Sequence, residues 1–259
     1  MSAAIAVHHR LDGPDDAPVL VLSHSLGINL DLFEPQAAAL SRSFRVVRYD
    51  LRGHGRSPVP PGPYELADLG ADLIALLDRI GAARAHLGGV SLGAMASLWT
   101  AAHHPDRVDR LVVCCTSARL DPSLWRERAA TARAAGMVAL ADGVVARWFT
   151  PAYCERHPDR VAALRAALEA TPAAGYAECC GAIERMDLRP HLAAVTAPTL
   201  AIAGAQDAAT PTDHLARIAQ GIAGARLVVV EGAHLASFEK SDEVNALIAE
   251  HLGRAGGRA

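Results

Sequence analysis

The sequence predicts an α/β fold, a mostly parallel central sheet with helices on both faces and an all-helical insertion. Three observations predict it. Short apolar runs alternate with helix-periodic stretches up to Cys115 and again from Thr199, the rhythm of strand–helix–strand units. Val19-Leu20-Val21-Leu22 is apolar at every position, as in a strand buried on both faces of a parallel sheet. From Leu120 to Arg189, by contrast, helical segments follow one another with no convincing strand between them.

Taken in order, Ala3 to Leu11 alternates loosely and predicts an edge strand, closed by a turn at Asp12-Gly13-Pro14-Asp15-Asp16. The Val19–Leu22 strand runs into a polar loop, Ser23-His24-Ser25-Leu26-Gly27. Leu32 to Leu40 predicts a helix and Phe44 to Tyr49 a strand. A tight loop follows, Asp50-Leu51-Arg52-Gly53-His54-Gly55-Arg56-Ser57, and then a proline-rich linker through Pro63. Glu65 to Ile80 carries apolar residues at 66, 69, 73, 76, 77 and 80, the spacing of an amphipathic helix, with Gly81 placed to cap it. Ala83 to Val90 predicts a strand, Leu92 to His104 a helix stopped by Pro105, and Val108 to Cys115 another strand.

Within the insertion, helices are expected over Ser123 to Ala135, Val138 to Trp148, Pro158 to Ala170 and Gly175 to Met186, folded as a cap over the sheet's active end. The strand rhythm resumes with Thr199 to Gly204, a helix from Pro211 to Ile222, a strand from Arg226 to Val230 and a last helix from Ser241 to His251. The expected division is a core over 1–119, a cap over 120–189 and the rest of the core over 190–259.

Composition narrows the function. Half the residues are apolar, a fifth are charged and the net charge is −3, with no basic run, which argues against nucleic acid as a partner. The start, Met1 to Arg10, has no basic segment followed by a long apolar one, so no secretory signal is expected there. No apolar stretch approaches the length of a membrane span. The five cysteines, two of them adjacent at 114–115 and two at 179–180, lack metal-ligand spacing and suit reduced thiols packed in a core. A cytoplasmic protein, monomeric or a small homo-oligomer, fits best, and neither a metal nor a cofactor is expected.

The chemistry centres on Gly89-Val90-Ser91-Leu92-Gly93, where a predicted strand turns into a predicted helix. A serine on such a corner has its Oγ pushed outward, and glycines on either side let neighbouring backbones pass close by. Ligand sites in open α/β sheets lie beyond the carboxyl ends of the strands. Asp207 stands beyond the strand ending at Gly204, and His234 beyond the strand ending at Val230. Ser91, Asp207 and His234 therefore form a candidate catalytic set. The serine needs an imidazole to take its proton, and the imidazole needs a carboxylate to fix its tautomer. Asp121, in another strand-end loop, is the reserve acid. For an oxyanion, the N–H of Leu92 is one donor by geometry and the N–H of Leu26 the chosen second. His54 either braces its loop or lines the pocket; Asp50 orders the loop after its strand. His103, His104, His157, His191, His214 and His251 fall in or at the ends of helices and read as surface or capping residues.

Together these pieces resemble the α/β-hydrolase superfamily, and within it the 3-oxoadipate enol-lactonases. The serine, aspartate and histidine follow its chain order. The resemblance spans nearly the whole chain: Leu22 to Gly27, the Arg-Gly-His-Gly loop after Tyr49-Asp50, Pro60-Pro61-Gly62-Pro63-Tyr64, Gly136-Met137, Arg147 to Pro151, Ala170-Thr171-Pro172, Gly175-Tyr176, Cys179-Cys180, Gly232 to Leu235 and Phe238-Glu239. His24 stands where that family leads one to expect Asn, and Ala94 where a second Gly is expected. With the chain ending at Ala259, the decarboxylase domain fused to some relatives is not expected. The resemblance implies a small lactone carboxylate as substrate, its charge met by Arg147 and Trp148, then Trp125 and Arg119. A carboxylesterase, a cofactor-free perhydrolase or a carbon–carbon bond hydrolase on the same fold are the alternatives.

Overall fold

The computed structural model describes residues 3–253; Met1, Ser2 and the chain end at Ala259, which enter the terminal readings above, lie outside the described residues. The elements run β1 (His9–Asp12), β2 (Val19–Ser23), α1 (Glu34–Leu40), β3 (Arg45–Tyr49), α2 (Leu66–Arg79), β4 (Ala85–Val90), α3 (Leu92–His103) and β5 (Val108–Cys114). Between β5 and the next strand come α4 (Pro122–Ala135), α5 (Val138–Val145), α6 (Pro151–Arg156), α7 (Pro158–Glu169) and α8 (Ala173–Arg185). The chain finishes with β6 (Thr199–Gly204), α9 (Thr212–Gly221), β7 (Arg226–Val230), α10 (Ala236–Glu239) and α11 (Ser241–Leu252).

The strands of the described residues form one sheet in the order β1-β3-β2-β4-β5-β6-β7, all parallel except β1. Register explains why the loops of interest meet. Ser23 pairs with Tyr49 and Gly89, Val90 with Cys114, Cys114 with Ile202, and Gly204 with Val230. The carboxyl ends of six strands, β2 to β7, thus lie along one edge. Leu20, Val21, Leu87, Leu111, Val113 and Ile202 are fully buried, each such side chain contributing about 1.5–3 kcal/mol through removal from water.

α2 buries the predicted apolar face and two acids besides, Asp68 and Asp72. Asp72 takes a bidentate pair of bonds from the fully buried Arg52, at 2.6 Å from Nε and 2.8 Å from Nη2. Burial raises the pKa of Asp72 even against that guanidinium, so the pair is a demanding one to bury and a damaging one to break.

The structure departs from the sequence reading in places. The edge strand is only four residues long, because the preceding chain is held by side chains instead: Ile5 N–H donates to Asp72 and His8 N–H to Ser57 Oγ. The helix expected from Leu32 starts as a 3-10 turn at Leu30–Phe33, which Asn29 caps. α6, opened by the Thr150 cap, and the four-residue α10 were not expected. The segment expected to run helical to Trp148 ends at Val145 and tightens into a turn, with Arg147 N–H on Val144 O and Trp148 N–H on Val145 O. The five cysteines are free thiols. No helix among the described residues is long and apolar enough to cross a membrane.

Candidate active site

Ser91 sits between β4 and α3 with φ 53° and ψ −118°, a left-handed conformation that costs a non-glycine residue about 1–3 kcal/mol. Neighbours hold it there: its N–H donates to Cys114 O at 3.0 Å, and Thr116 Oγ1 donates to its carbonyl at 2.8 Å. The flanking glycines are needed. A Cβ on Gly93 would overlap the carbonyl of Ser23, and one on Gly89 would overlap the backbone of Gly93 and Ala94. This contact brings the start of α3 against the end of β2, and so against the Ser25–Leu26 loop. Leu92 is the first residue of α3, where an N–H has no acceptor within its own helix.

Asp207 and His234 meet from the loops after β6 and β7. His234 Nδ1 lies 2.9 Å from Asp207 Oδ2, the imidazole almost and the carboxylate wholly buried. Asp207 also accepts the N–H groups of Ala209 and Thr210 and the hydroxyl of Thr210. Burial opposes its charge, but His234 and the Thr210 bonds outweigh that and hold the carboxyl below its ordinary pKa. Asp121, the reserve acid, instead caps α4 from an exposed position by accepting from Ser123 N–H and Oγ. Its carboxylate is engaged there, and it is Asp207 that meets the imidazole.

The helical insertion is stitched to the histidine loop. The tightened turn after α5 aims two carbonyls at it: His234 N–H donates to Arg147 O at 3.4 Å and Leu235 N–H to Trp148 O at 2.8 Å. Glu239 ties the same two segments by accepting from Thr150 and from Ala233 N–H. Across the molecule, Gly53 and Gly175 touch so closely that a Cβ on either would overlap the other's backbone.

Behind the Ser25–Leu26 loop stand His24 and His54. His54 Nε2 accepts the N–H of Gly27 and His24 Nε2 that of Leu51, each at 2.9 Å. Their Nδ1 atoms donate to the carbonyls of Arg52 and Ser25, respectively. His54 is thus a brace, as one of the two readings had it. Asp50 orders its loop as expected, accepting from Leu30 N–H and Arg56 N–H.

Ser91, His234, Ser25 and Leu26 line a cavity of about 300 Å³, together with Arg119, Trp125, Arg147 and Trp148. Among the other lining residues, Arg128, Tyr176 and His214 bear polar groups that the sequence reading did not assign to the site. Arg128 lies one helical turn from Trp125, so it shares that residue's face of α4, and its guanidinium sits 4.8 Å from the indole ring. Among the described residues neither Arg128 nor Arg147 has a carboxylate partner. Burial, then the nearby Arg128, pulls the Arg147 guanidinium below its ordinary pKa. Arg119, by contrast, donates to Met186 O. Trp125 Nε1 is buried with no hydrogen-bond partner among the described residues, and the buried Tyr176 Oη lies beside Arg128. Burial raises the Tyr176 pKa, which keeps the phenol a neutral donor. His214, expected at the surface, is half-buried against Ser117. The site therefore joins a serine–imidazole–carboxylate set to a cavity that holds two cations without carboxylate partners among the described residues.

Comparison with known proteins gives the family. The profile of the alpha/beta hydrolase fold family matches residues 18–241. The chain is 36% identical over 242 residues to 3-oxoadipate enol-lactonase 2 of Acinetobacter baylyi, covering 93% of this chain and 91% of that one. It is 42% identical to the enol-lactonase of Burkholderia xenovorans LB400, whose crystal structure superposes with a TM-score of 0.94 over 95% of this chain and 96% of that one. A hydrolase from Pseudomonas aeruginosa PA01 is similar at 44% identity and a TM-score of 0.92, over 95% and 94% of the two chains.

Proposed function

The chain belongs to the alpha/beta hydrolase fold family, and from that premise we propose that it is a serine hydrolase opening 3-oxoadipate enol-lactone to 3-oxoadipate, a step in bacterial breakdown of protocatechuate and catechol. The observation that carries this reading is the pairing within one cavity of Ser91 and His234 with two arginines that lack carboxylate partners. An ester hydrolase for neutral substrates has no use for half-buried cations without carboxylate partners; one for a lactone bearing an acetate carboxylate does.

Ser91 Oγ attacks the lactone carbonyl as His234 takes its proton, and Asp207 stabilises the imidazolium that forms. The N–H groups of Leu92 and Leu26 hold the oxyanion, each donor worth about 2.7–4 kcal/mol in the transition state. Collapse breaks the ring C–O bond and expels an enol oxygen, a better leaving group than an alkoxide. The product is an acyl-enzyme that still carries the enol, and water activated by His234 releases it. Arg147 and Arg128 receive the substrate carboxylate, with Trp125 Nε1 and Tyr176 Oη as the neutral donors beside them.

Loss of the enol-lactone's ultraviolet absorbance, followed with wild type and Ser91→Ala side by side, tests the reading. Rapid loss that vanishes in the variant is expected. Loss no faster than that of simple aryl esters, or loss that persists in Ser91→Ala, overturns it.

A further inference from the structure

We infer that His214 is a second acid–base residue of this cavity, carrying a proton from the freed enol oxygen to the adjoining carbon after the lactone has opened. The inference rests on the enol-lactone reading above and adds a step to it.

The protonation of His214 follows from its partner. His214 Nδ1 lies 2.8 Å from Ser117 Oγ. The Ser117 hydroxyl is 2.6 Å from the carbonyl of Arg119, which can only accept, so the hydroxyl proton is spent there. The same oxygen also accepts the N–H of Arg119 at 3.1 Å. Towards His214 it can therefore only accept, and Nδ1 must carry the proton. That leaves the lone pair on Nε2, in a side chain that lines the same cavity as Ser91 and His234. Ser117 stands to His214 as Asp207 stands to His234: each fixes a tautomer from behind. A surface histidine needs no such arrangement.

The chemistry offers a second imidazole a task. After ring opening the enol remains tethered to the acyl group on Ser91, and its oxygen can attack the ester again and re-close the ring. Water must occupy the place that oxygen leaves if His234 is to activate it, so the enol has to swing away from His234. Ketonisation then removes the nucleophile. His214 Nε2 accepts the enol O–H proton and returns a proton to the former vinyl carbon. The O–H electron pair becomes the C=O π bond, and the C=C pair forms the new C–H bond. The atoms transferred are protons only, and no oxidant or reductant enters. Oxygen and carbon are separated by one atom, so a single imidazole edge serves both.

The test is where the proton lands. Enol-lactone is opened in D₂O, and the C4 methylene of the 3-oxoadipate is read by deuterium NMR in a chiral liquid-crystal medium. Wild type is expected to place deuterium on one face; ketonisation in free solution places it equally on both. In whatever product His214→Gln forms, the label should fall on both faces. Ser117→Ala, which keeps the imidazole but removes the acceptor that fixes its tautomer, should lower the one-face excess. Lactone opening by wild type with label on both faces overturns this inference alone, as does a one-face label retained in His214→Gln. No opening by wild type overturns the enol-lactone reading and this inference together.

Discussion

His24 and His54 each accept a backbone N–H from the other's loop: Leu51 donates to His24, and Gly27 donates to His54, with the two rings 5.3 Å apart. The loop after β2, which carries the Leu26 N–H, is thereby cross-tied to the loop after β3. An imidazole can accept at Nε2 only while that nitrogen is unprotonated, so the tie requires both rings to be neutral. Burial lowers the pKa of His24, and burial together with the charge His24 would carry lowers that of His54 to about 3.

This dictates a pH dependence of stability. The folded His54 binds its proton only near pH 3, whereas the unfolded side chain binds near 6.5. Below 6.5 the unfolded chain takes up a proton that the folded one refuses, so stability is complete above that pH and declines towards 3. His24 acts in the same direction. In His24→Asn the amide oxygen can still accept from Leu51 but does not titrate. Between pH 6 and 4 the unfolding free energy of wild type should therefore fall more steeply than that of His24→Asn, which lacks the titrating ring and its charge effect on His54. Urea unfolding at several pH values measures it, and parallel slopes would show that His24 is not the neutral acceptor described.

Gly93 has no room for a methyl group, because a Cβ there would lie inside the carbonyl of Ser23 and close to that of His24. Both are backbone atoms at the end of a central strand and cannot swing aside. Gly93→Ala should destabilise the fold by about 3 kcal/mol or more and widen the gap between α3 and the Leu26 loop. Denaturant midpoints would register the first effect, and a fall in kcat with little change in KM the second.

The elbow at Ser91 was legible because its glycines and the strand and helix around it lie within a dozen residues of one another. The loops bearing Asp207 and His234 were legible because each follows an apolar run that could only be a strand. What could not be read depends on contacts distant in sequence. Periodicity assigns an acid on a helix to solvent, yet Asp72 faces inward to meet Arg52 from a loop 20 residues earlier. His214 looked like an ordinary residue of a helix start, because its partner Ser117 lies 97 residues away beyond β5. Arg128 had a local signal, its one-turn spacing from Trp125, which the sequence reading placed at the substrate without extending that face of α4 to its neighbour.

Asp207 and His234 allow a sharp separation of orientation from charge. Asp207→Asn keeps the size of the side chain but presents an amide N–H or a neutral oxygen to His234 Nδ1, and so disturbs the tautomer of that imidazole. If Asp207 orients a general base, kcat for an aryl acetate at pH 7 should fall by about four orders of magnitude with KM little altered. Steady-state kinetics with active-site titration would settle it. A loss of tenfold or less would mean that the carboxylate supports the loop through Thr210 rather than the imidazole.

Arg128 and Arg147 offer the clearest test of substrate class, because the cavity supplies them with no counter-ion among the described residues. A hydrogen bond to a charged group contributes about 1.5–3 kcal/mol, so Arg147→Gln and Arg128→Gln should each raise KM for the enol-lactone about 10- to 100-fold. p-Nitrophenyl acetate carries no carboxylate and should show little change in either variant. Because the two guanidiniums lie close enough for Arg128 to lower the pKa of Arg147, removing one relieves the other. The double variant should therefore lose more than the two single effects combined, since each single variant keeps one cation whose repulsion has gone. Equal losses on lactone and acetate would mean that these arginines hold the helical insertion together rather than the substrate, and would favour an esterase for neutral substrates.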